Sequence, residues 1–288
     1  MHSKRMHTNL FNSGMDTRMT ETPHYAIRGG LPGRERLRVL SRVMLESTSS
    51  LLNRLELVDG LNCLDVGCGG GDVTRELARR IAPAGRAVGI DLDATKLSVA
   101  QEEARDLGLS NLEYRQVDVR DAAGPPEYDV VYSRFVLTHL SNPEAVLSSF
   151  LKQLRPGGIL ALEDIDFSGS FAWPETGAFR RFYELYCTVV QNRGGDPHIG
   201  QRLPVLVKDC GLESIQVSVV QPTGLTGEVK LLNGLTMENI ADAVLADGLA
   251  STEEIDQIVD ELNAFAADER TVTGLPRIVQ VWGRLPQS

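Results

Sequence analysis

The chain has 288 residues, 42% hydrophobic and 24% charged, with a formal net charge of −10. That length allows one large α/β domain or a domain with a subdomain, and no apolar run approaches the roughly 18 residues of a membrane span. The acidic balance, without a segregated basic face, argues against a nucleic-acid partner.

Cys63, Cys68, Cys187 and Cys210 form no C-x-x-C pair and no dense scaffold, which points to a reducing, cytoplasmic setting. Residues 1–24 are polar, lack the apolar core of a secretory signal and read as a flexible tail. From Arg34 to Leu57, Leu37, Leu40, Val43, Met44, Leu51, Leu52 and Leu55 recur mostly three or four apart, which predicts a helix with one buried stripe. Five aliphatic runs follow, "NCLDVG", "RAVGIDL", "LEYRQVDV", "YDVVYSR" and "GILALEDI", separated by segments of helical length. The alternation predicts a parallel sheet with helices on both faces, and in such sheets the carboxyl edge binds ligands. Helices are marked at 72–82, at 93–107 before Gly108, and after Asn142, whose neighbour is Pro143.

Beyond Asp166 the pattern changes to an aromatic-rich helix within 174–191, a helix at 203–210, an alternating strand "ESIQVSVVQ", and a helical stretch from about 226 to 268 with Ser251 as an N-cap. "RIVQVWGRL" reads as the last strand; if it pairs with its predecessor, about 50 residues are inserted between them. The predicted organisation is an N-terminal helical cap at 25–60, a core at 61–166, and an acceptor-side region at 167–288 carrying the insertion.

The chemistry concentrates at the strand ends. "LDVGCGGGDVT" sets Gly67, Gly69 and Gly71 between a strand and a helix, with Asp65 before them. A dinucleotide loop has G-x-G-x-x-G spacing and a pyrophosphate at the helix N-terminus. Asp72 occupies the third-glycine position, which disfavours an NAD-dependent dehydrogenase, and an acid beside the loop suits a ligand carrying positive charge. S-adenosylmethionine, with an ammonium in its methionine portion and no phosphate, fits. Asp91 ends the second run and is placed to accept from both ribose hydroxyls, with Leu92 over the adenine face. Asp118 is placed to accept from the adenine amino group, and the Val119 N–H to donate to the ring.

In order, "LDVGCGGG", "GIDLD", "VDVRD", "YDVVYSRFVLTHL" and "LRPGGIL" resemble the motifs of the class I S-adenosylmethionine-dependent methyltransferases, UbiE-like small-molecule type, over about 61–166. The resemblance implies a Rossmann-like sheet of seven strands with the last antiparallel, S-adenosylhomocysteine as product, and Gly67 and Gly69 against the methionine portion; Asp65 and Cys68 of the same turn are also expected to bind the cofactor. Upstream, "YAIRGGLPGRERL" resembles a segment that closes over the cofactor in some members, making Tyr25 and Arg28 candidates for the methionine carboxylate.

By position Ser133 and Arg134 fall beside the sulfonium. His139 in "LTHL" is the general-base candidate, since its unperturbed pKa of about 6.5 suits that role. After the fifth run, Glu163, Asp164 and Asp166 are acids that would steer a cationic acceptor, and Asp164 is the second catalytic candidate. A metal site is disfavoured, because Ser133 and Arg134 stand where a further acid would be needed. The Asn/Asp-Pro-Pro-aromatic pattern of amide or exocyclic-amine methylation is absent. Phe167, Phe171, Trp173, Phe179, Phe182, Tyr183 and Tyr186 form the aromatic-richest stretch and suit a small aromatic or apolar acceptor, although Phe179, Phe182 and Tyr186 also carry the spacing of ordinary helix packing. The insertion reads as a lid or an oligomer contact, which allows a homodimer. The alternative is a member of this fold recruited to cofactor binding or non-methylating chemistry.

Overall fold

A computed structural model describes residues 26–287, so the expected tail and Tyr25 lie outside the described residues. In chain order the first elements are α1 (Gly30–Arg54), β1 (Asn62–Val66), α2 (Asp72–Arg80), β2 (Arg86–Asp91), α3 (Ala94–Asp106), β3 (Leu112–Gln116), β4 (Tyr128–Arg134), α4 (Pro143–Gln153) and β5 (Leu154–Asp166). They continue with β6 (Phe171–Trp173), α5 (Gly177–Asn192), α6 (Leu203–Asp209), β7 (Glu213–Val220), β8 (Thr223–Gly224), α7 (Glu228–Ala246), α8 (Thr252–Ala267), β9 (Val272–Gly274) and β10 (Arg277–Arg284). No helix among the described residues is long and apolar enough to cross a membrane.

The main sheet has seven strands in the order β3-β2-β1-β4-β5-β10-β7, and β10 runs antiparallel to both its neighbours. This is the expected Rossmann-like arrangement. Because side chains alternate along a strand, the apolar runs feed two cores. Cys63, Ala87, Val130, Tyr132, Ile159 and Ala161 face α1 and α2, while Leu64, Val88, Val131, Leu160 and Val281 face α4 and α6. A third core joins α5, α7 and α8 over the carboxyl edge of the sheet.

Several helix starts follow from their local sequence. The Asp93 carboxylate accepts from the Thr95 and Lys96 amides to cap α3, Asn142 accepts from the Ala145 amide to cap α4, and Ser251 accepts from the Glu254 amide to cap α8. α1 begins four residues before the predicted start, because its Gly30 amide finds an acceptor 63 positions away in Asp93 Oδ2, at 2.9 Å. β5 begins at Leu154 rather than in "GILALEDI", taking in the "RPGG" turn as a register irregularity against β4. The helical stretch expected at 226–268 is two helices, α7 and α8, broken at Gly248 with φ +65°. β6, β9 and β8 form a small second sheet at the base of the insertion; three residues or fewer per strand leave too little alternation to read from sequence.

Candidate functional site

One cleft of about 1200 Å³ runs along the carboxyl edge of the sheet. Its floor is the turn between β1 and α2. Gly67, Gly69 and Gly71 all have positive φ, at 70°, 53° and 73°, which favours glycine. A Cβ at Gly67 would lie 2.2 Å from Val136 Cγ2, and one at Gly71 would lie 2.1 Å from the Tyr114 hydroxyl. The turn therefore presents bare backbone to the cleft, with Gly67, Cys68, Gly69 and Gly70 on the wall.

Carboxylates surround this floor. Asp65 is buried, accepts a hydrogen bond from Thr74 Oγ1 at 2.6 Å and still borders the cleft. Burial pushes its carboxyl up to about 6, opposed by the Thr74 hydrogen bond and the Arg134 charge and helped by Asp91 and Asp72. Asp91 accepts from the Gly69 amide at 2.8 Å and the Asp93 amide at 2.9 Å, so the same carboxylate that ends β2 also holds the glycine turn. Asp118 is held by Arg120 through its backbone amide, Nε and Nη2, the last at 2.6 Å, and that pair holds its carboxyl below the usual range. Leu92, Asp118, Val119 and Arg120 all line this end.

α1 roofs the cleft. Its buried Arg34 reaches Glu103 at 2.6 Å and Asp72 at 3.4 Å, tying α1 to α3 and α2. Ahead of the helix, Arg28 forms a two-pronged pair with Asp242 of α7 at 2.6 and 2.8 Å. Both arginine and partner are exposed, so that pair contributes little to stability, roughly 1 kcal/mol or less. Farther along α1, Thr48 accepts from Arg134 at 2.8 Å and donates to buried Glu163, which also accepts from Tyr132 and from Gln280 at 2.8 Å. Arg134 and Tyr132 thus reach the cleft from β4 on a network anchored in β5 and β10.

The far half of the cleft is lined by Ile165, Phe167, Phe182 and Tyr186 opposite α7, which contributes Leu232, Asn233, Thr236, Asn239 and Ala243. Phe167 and Tyr186 stack, with ring centroids 4.1 Å apart and planes 10° off parallel. The insertion therefore lies at the strand ends, as a lid requires. Of the other expected aromatics, Phe179 is packed in the core, while Phe171 and Trp173 of β6 are exposed and off the wall.

Most of the sequence-derived candidates converge here. Arg28, Asp65, Gly67, Cys68, Gly69, Asp91, Leu92, Asp118, Val119, Arg134 and His139 line the one cleft. Ser133 and Asp164 do not. Ser133 points to the opposite face of β4 and donates to the Val66 carbonyl at 3.0 Å. Asp164 is buried beneath the wall, accepting from the Ile165 and Thr138 amides at 2.8 and 3.2 Å, with burial pushing its carboxyl up to about 7. It braces the 137–139 turn that carries His139. Tyr132 and the polar positions of α7 were missed; strand alternation would have supplied Tyr132, which shares a face with Arg134.

His139 is half-buried, and desolvation, then the positive charges of Arg36 and Lys96, push its imidazole down to about 3. The folded value lies below the unfolded one, near 6.5, so the native protein resists protonation and loses stability from this group as pH falls below 6.5. In an NMR titration the His139 ring is expected to stay neutral from pH 8 to pH 5; an inflection near 6.5 would contradict this environment. For Asp65 the sign is opposite. Its folded value lies above the unfolded one, so it favours folding increasingly as pH falls from 7 towards 4, and Asp65→Asn is expected to raise the melting temperature of the ligand-free protein at pH 8. A fall in melting temperature there would contradict the burial penalty.

Residues 57–192 match the model of a methyltransferase domain family. The ubiquinone biosynthesis O-methyltransferase of Leptothrix cholodnii is 36% identical over 111 residues, 38% of this chain and 46% of that protein. The ubiquinone/menaquinone biosynthesis C-methyltransferase UbiE of Stutzerimonas stutzeri is 33% identical over 130 residues, 44% of this chain and 48% of that protein. Among solved structures, a phosphoethanolamine N-methyltransferase of Haemonchus contortus, in complex with phosphomonomethylethanolamine and S-adenosylhomocysteine, superposes with a TM-score of 0.57 at 17% identity. That superposition covers 86% of this chain and 56% of the other. The chain spans less than half the length of the two curated relatives named here. These matches support the UbiE-like resemblance over the core, and the structural likeness shows the fold.

Proposed function

We propose that the chain, with a methyltransferase domain at residues 57–192, is an S-adenosylmethionine-dependent enzyme that methylates a small, aromatic or apolar acceptor. The observation that carries this reading is the continuity of the cleft: an acid-rimmed glycine turn and an aromatic wall border one volume of about 1200 Å³. That exceeds the 300–1,000 Å³ usual for one ligand and leaves room for two.

The donor set fits the cofactor. Gly67, Cys68 and Gly69 offer backbone at close range to the methionine portion, Asp65 faces its positive charge, Asp91 accepts from the ribose, and Leu92 with Val119 borders the adenine. A pyrophosphate at this turn would meet the carboxylates of Asp65, Asp72 and Asp91. When bound, the cofactor supplies a methyl group on a sulfonium, open to direct displacement. The residues' task is then placement: α1 and α7 exclude water and the aromatic wall holds the acceptor in line. Burial first, and then the positive charges of Arg36 and Lys96, disfavour the protonated form of His139. The acceptor is accordingly one that reacts with little proton transfer to the imidazole. The bonds from Arg28, ahead of α1, to Asp242 of α7 and from Arg36 of α1 to Thr236 of α7 are made within one chain, which supports the lid reading of the insertion over an oligomer contact.

A positive ligand beside Asp65 pulls its carboxyl below about 6, so binding near pH 6 is expected to release protons. Calorimetry in buffers of differing ionisation enthalpy reads this directly, and Asp65→Asn should abolish it; equal proton release by the variant would remove Asp65 from the site. The function itself is tested by following S-adenosylhomocysteine formation against panels of phenols, quinols, amines and thiols. Turnover with an aromatic or apolar member supports the reading. Tight cofactor binding without turnover on any panel favours the non-methylating alternative.

A further inference from the structure

α7 is mostly apolar, yet it turns Asn233, Thr236 and Asn239 into the cleft at three-residue spacing. Thr236 is engaged, accepting from Arg36 Nε at 3.1 Å. Asn239 is different. It is 6% exposed, its Nδ2 donates to the Leu235 carbonyl at 2.8 Å, and its backbone carbonyl accepts the Arg28 amide at 2.7 Å. Its Oδ1 is buried and has no hydrogen-bond partner among the described residues. The amide cannot be turned to relieve this, because Oδ1 would then face the Leu235 carbonyl oxygen. Nor does the neighbouring Arg28 side chain supply the donor, since its Nε and Nη2 are both directed to Asp242.

A buried acceptor left unmade destabilises the fold unless something in the cleft satisfies it. We infer that Asn239 Oδ1 accepts a hydrogen bond from an N–H or O–H group of the ligand bound in this cleft, making Asn239 a specificity-determining residue of the insertion. The inference rests on the proposed function. Two sources offer the required donor. One is the α-ammonium of the cofactor, near the segment ahead of α1 that bonds to Asn239. The other is a hydroxyl or amine on the acceptor held against Phe182 and Tyr186.

The test compares wild type with Asn239→Leu, which keeps the volume and removes the polarity. Calorimetry uses S-adenosylhomocysteine, which has the ammonium, and 5′-methylthioadenosine, which lacks it. Saturation-transfer NMR on the S-adenosylhomocysteine-loaded protein compares phenol with its donor-free ether, anisole. If the cofactor is the source, Asn239→Leu weakens S-adenosylhomocysteine roughly tenfold or more and leaves 5′-methylthioadenosine unchanged, which also shows that the variant is folded. If the acceptor is the source, nucleoside affinities stay level and the leucine variant alone loses the preference for phenol over anisole. Unchanged nucleoside affinities together with an unchanged phenol preference overturn the inference while leaving the proposed function intact. Failure of the wild type to bind either nucleoside overturns both.

Discussion

Replacing Asp91 with alanine is expected to weaken S-adenosylmethionine binding by one to two orders of magnitude or more. A carboxylate accepting from two ribose hydroxyls makes charge-assisted hydrogen bonds of roughly 1.5–3 kcal/mol each, and alanine removes both. It also releases the Gly69 and Asp93 amides, which Asp91 now holds at 2.8 and 2.9 Å. Each carboxylate oxygen has two lone pairs, so the contacts to the turn leave capacity for the ligand. Asp91→Asn keeps one acceptor oxygen and should fall between alanine and wild type. Calorimetry on all three proteins checks the ordering, and an alanine variant that binds as tightly as wild type would remove Asp91 from the cofactor site.

The second large effect is expected at Gly67. An alanine there adopts φ near +70° and sets its Cβ 2.2 Å from Val136 Cγ2, so either the turn or the 136–139 segment must move. The left-handed backbone costs roughly 1–2 kcal/mol and overpacking a further 1–3 kcal/mol, a combined loss of about 2–5 kcal/mol in stability. Denaturant unfolding measures it. Trimming the obstacle in Gly67→Ala/Val136→Ala should recover the packing share and leave the backbone share, whereas an unstable double variant no better than the single one would show that the clash is not the cause. Cofactor affinity should fall in Gly67→Ala even where the protein remains folded, because relieving the clash moves either the turn or Val136, and both line the cleft.

What was legible in the sequence was what is local. The alternation of aliphatic runs and helical segments set out β1 to β5, and Asp93, Asn142 and Ser251 announced their helices because a cap acts within three residues of itself. The strand-end acids could be placed because a parallel sheet brings all its carboxyl ends to one edge. What was hidden depends on partners far along the chain. Asp93 reads as the cap of α3, and nothing near it tells that its second oxygen also receives the first amide of α1. Glu163 reads as one acid among three, yet it sits at the centre of a network drawn from α1, β4 and β10. Ser133 was a different kind of miss: it and Arg134 are adjacent on one strand and cannot both face the same side, so a stricter use of the two-residue period would have kept Arg134 and dropped Ser133. The polar rungs of α7 were visible as Asn233, Thr236 and Asn239 in an apolar helix, but only the tertiary fold tells that this face meets the strand ends.

The central claim is that this cleft holds S-adenosylmethionine on an acid-rimmed glycine turn. The most direct test is calorimetric titration of the wild-type protein with S-adenosylmethionine and, separately, with NAD. One equivalent of S-adenosylmethionine binding in the micromolar range, with no heat from NAD, is the predicted result. Binding of NAD in preference to S-adenosylmethionine, or of neither, would contradict it.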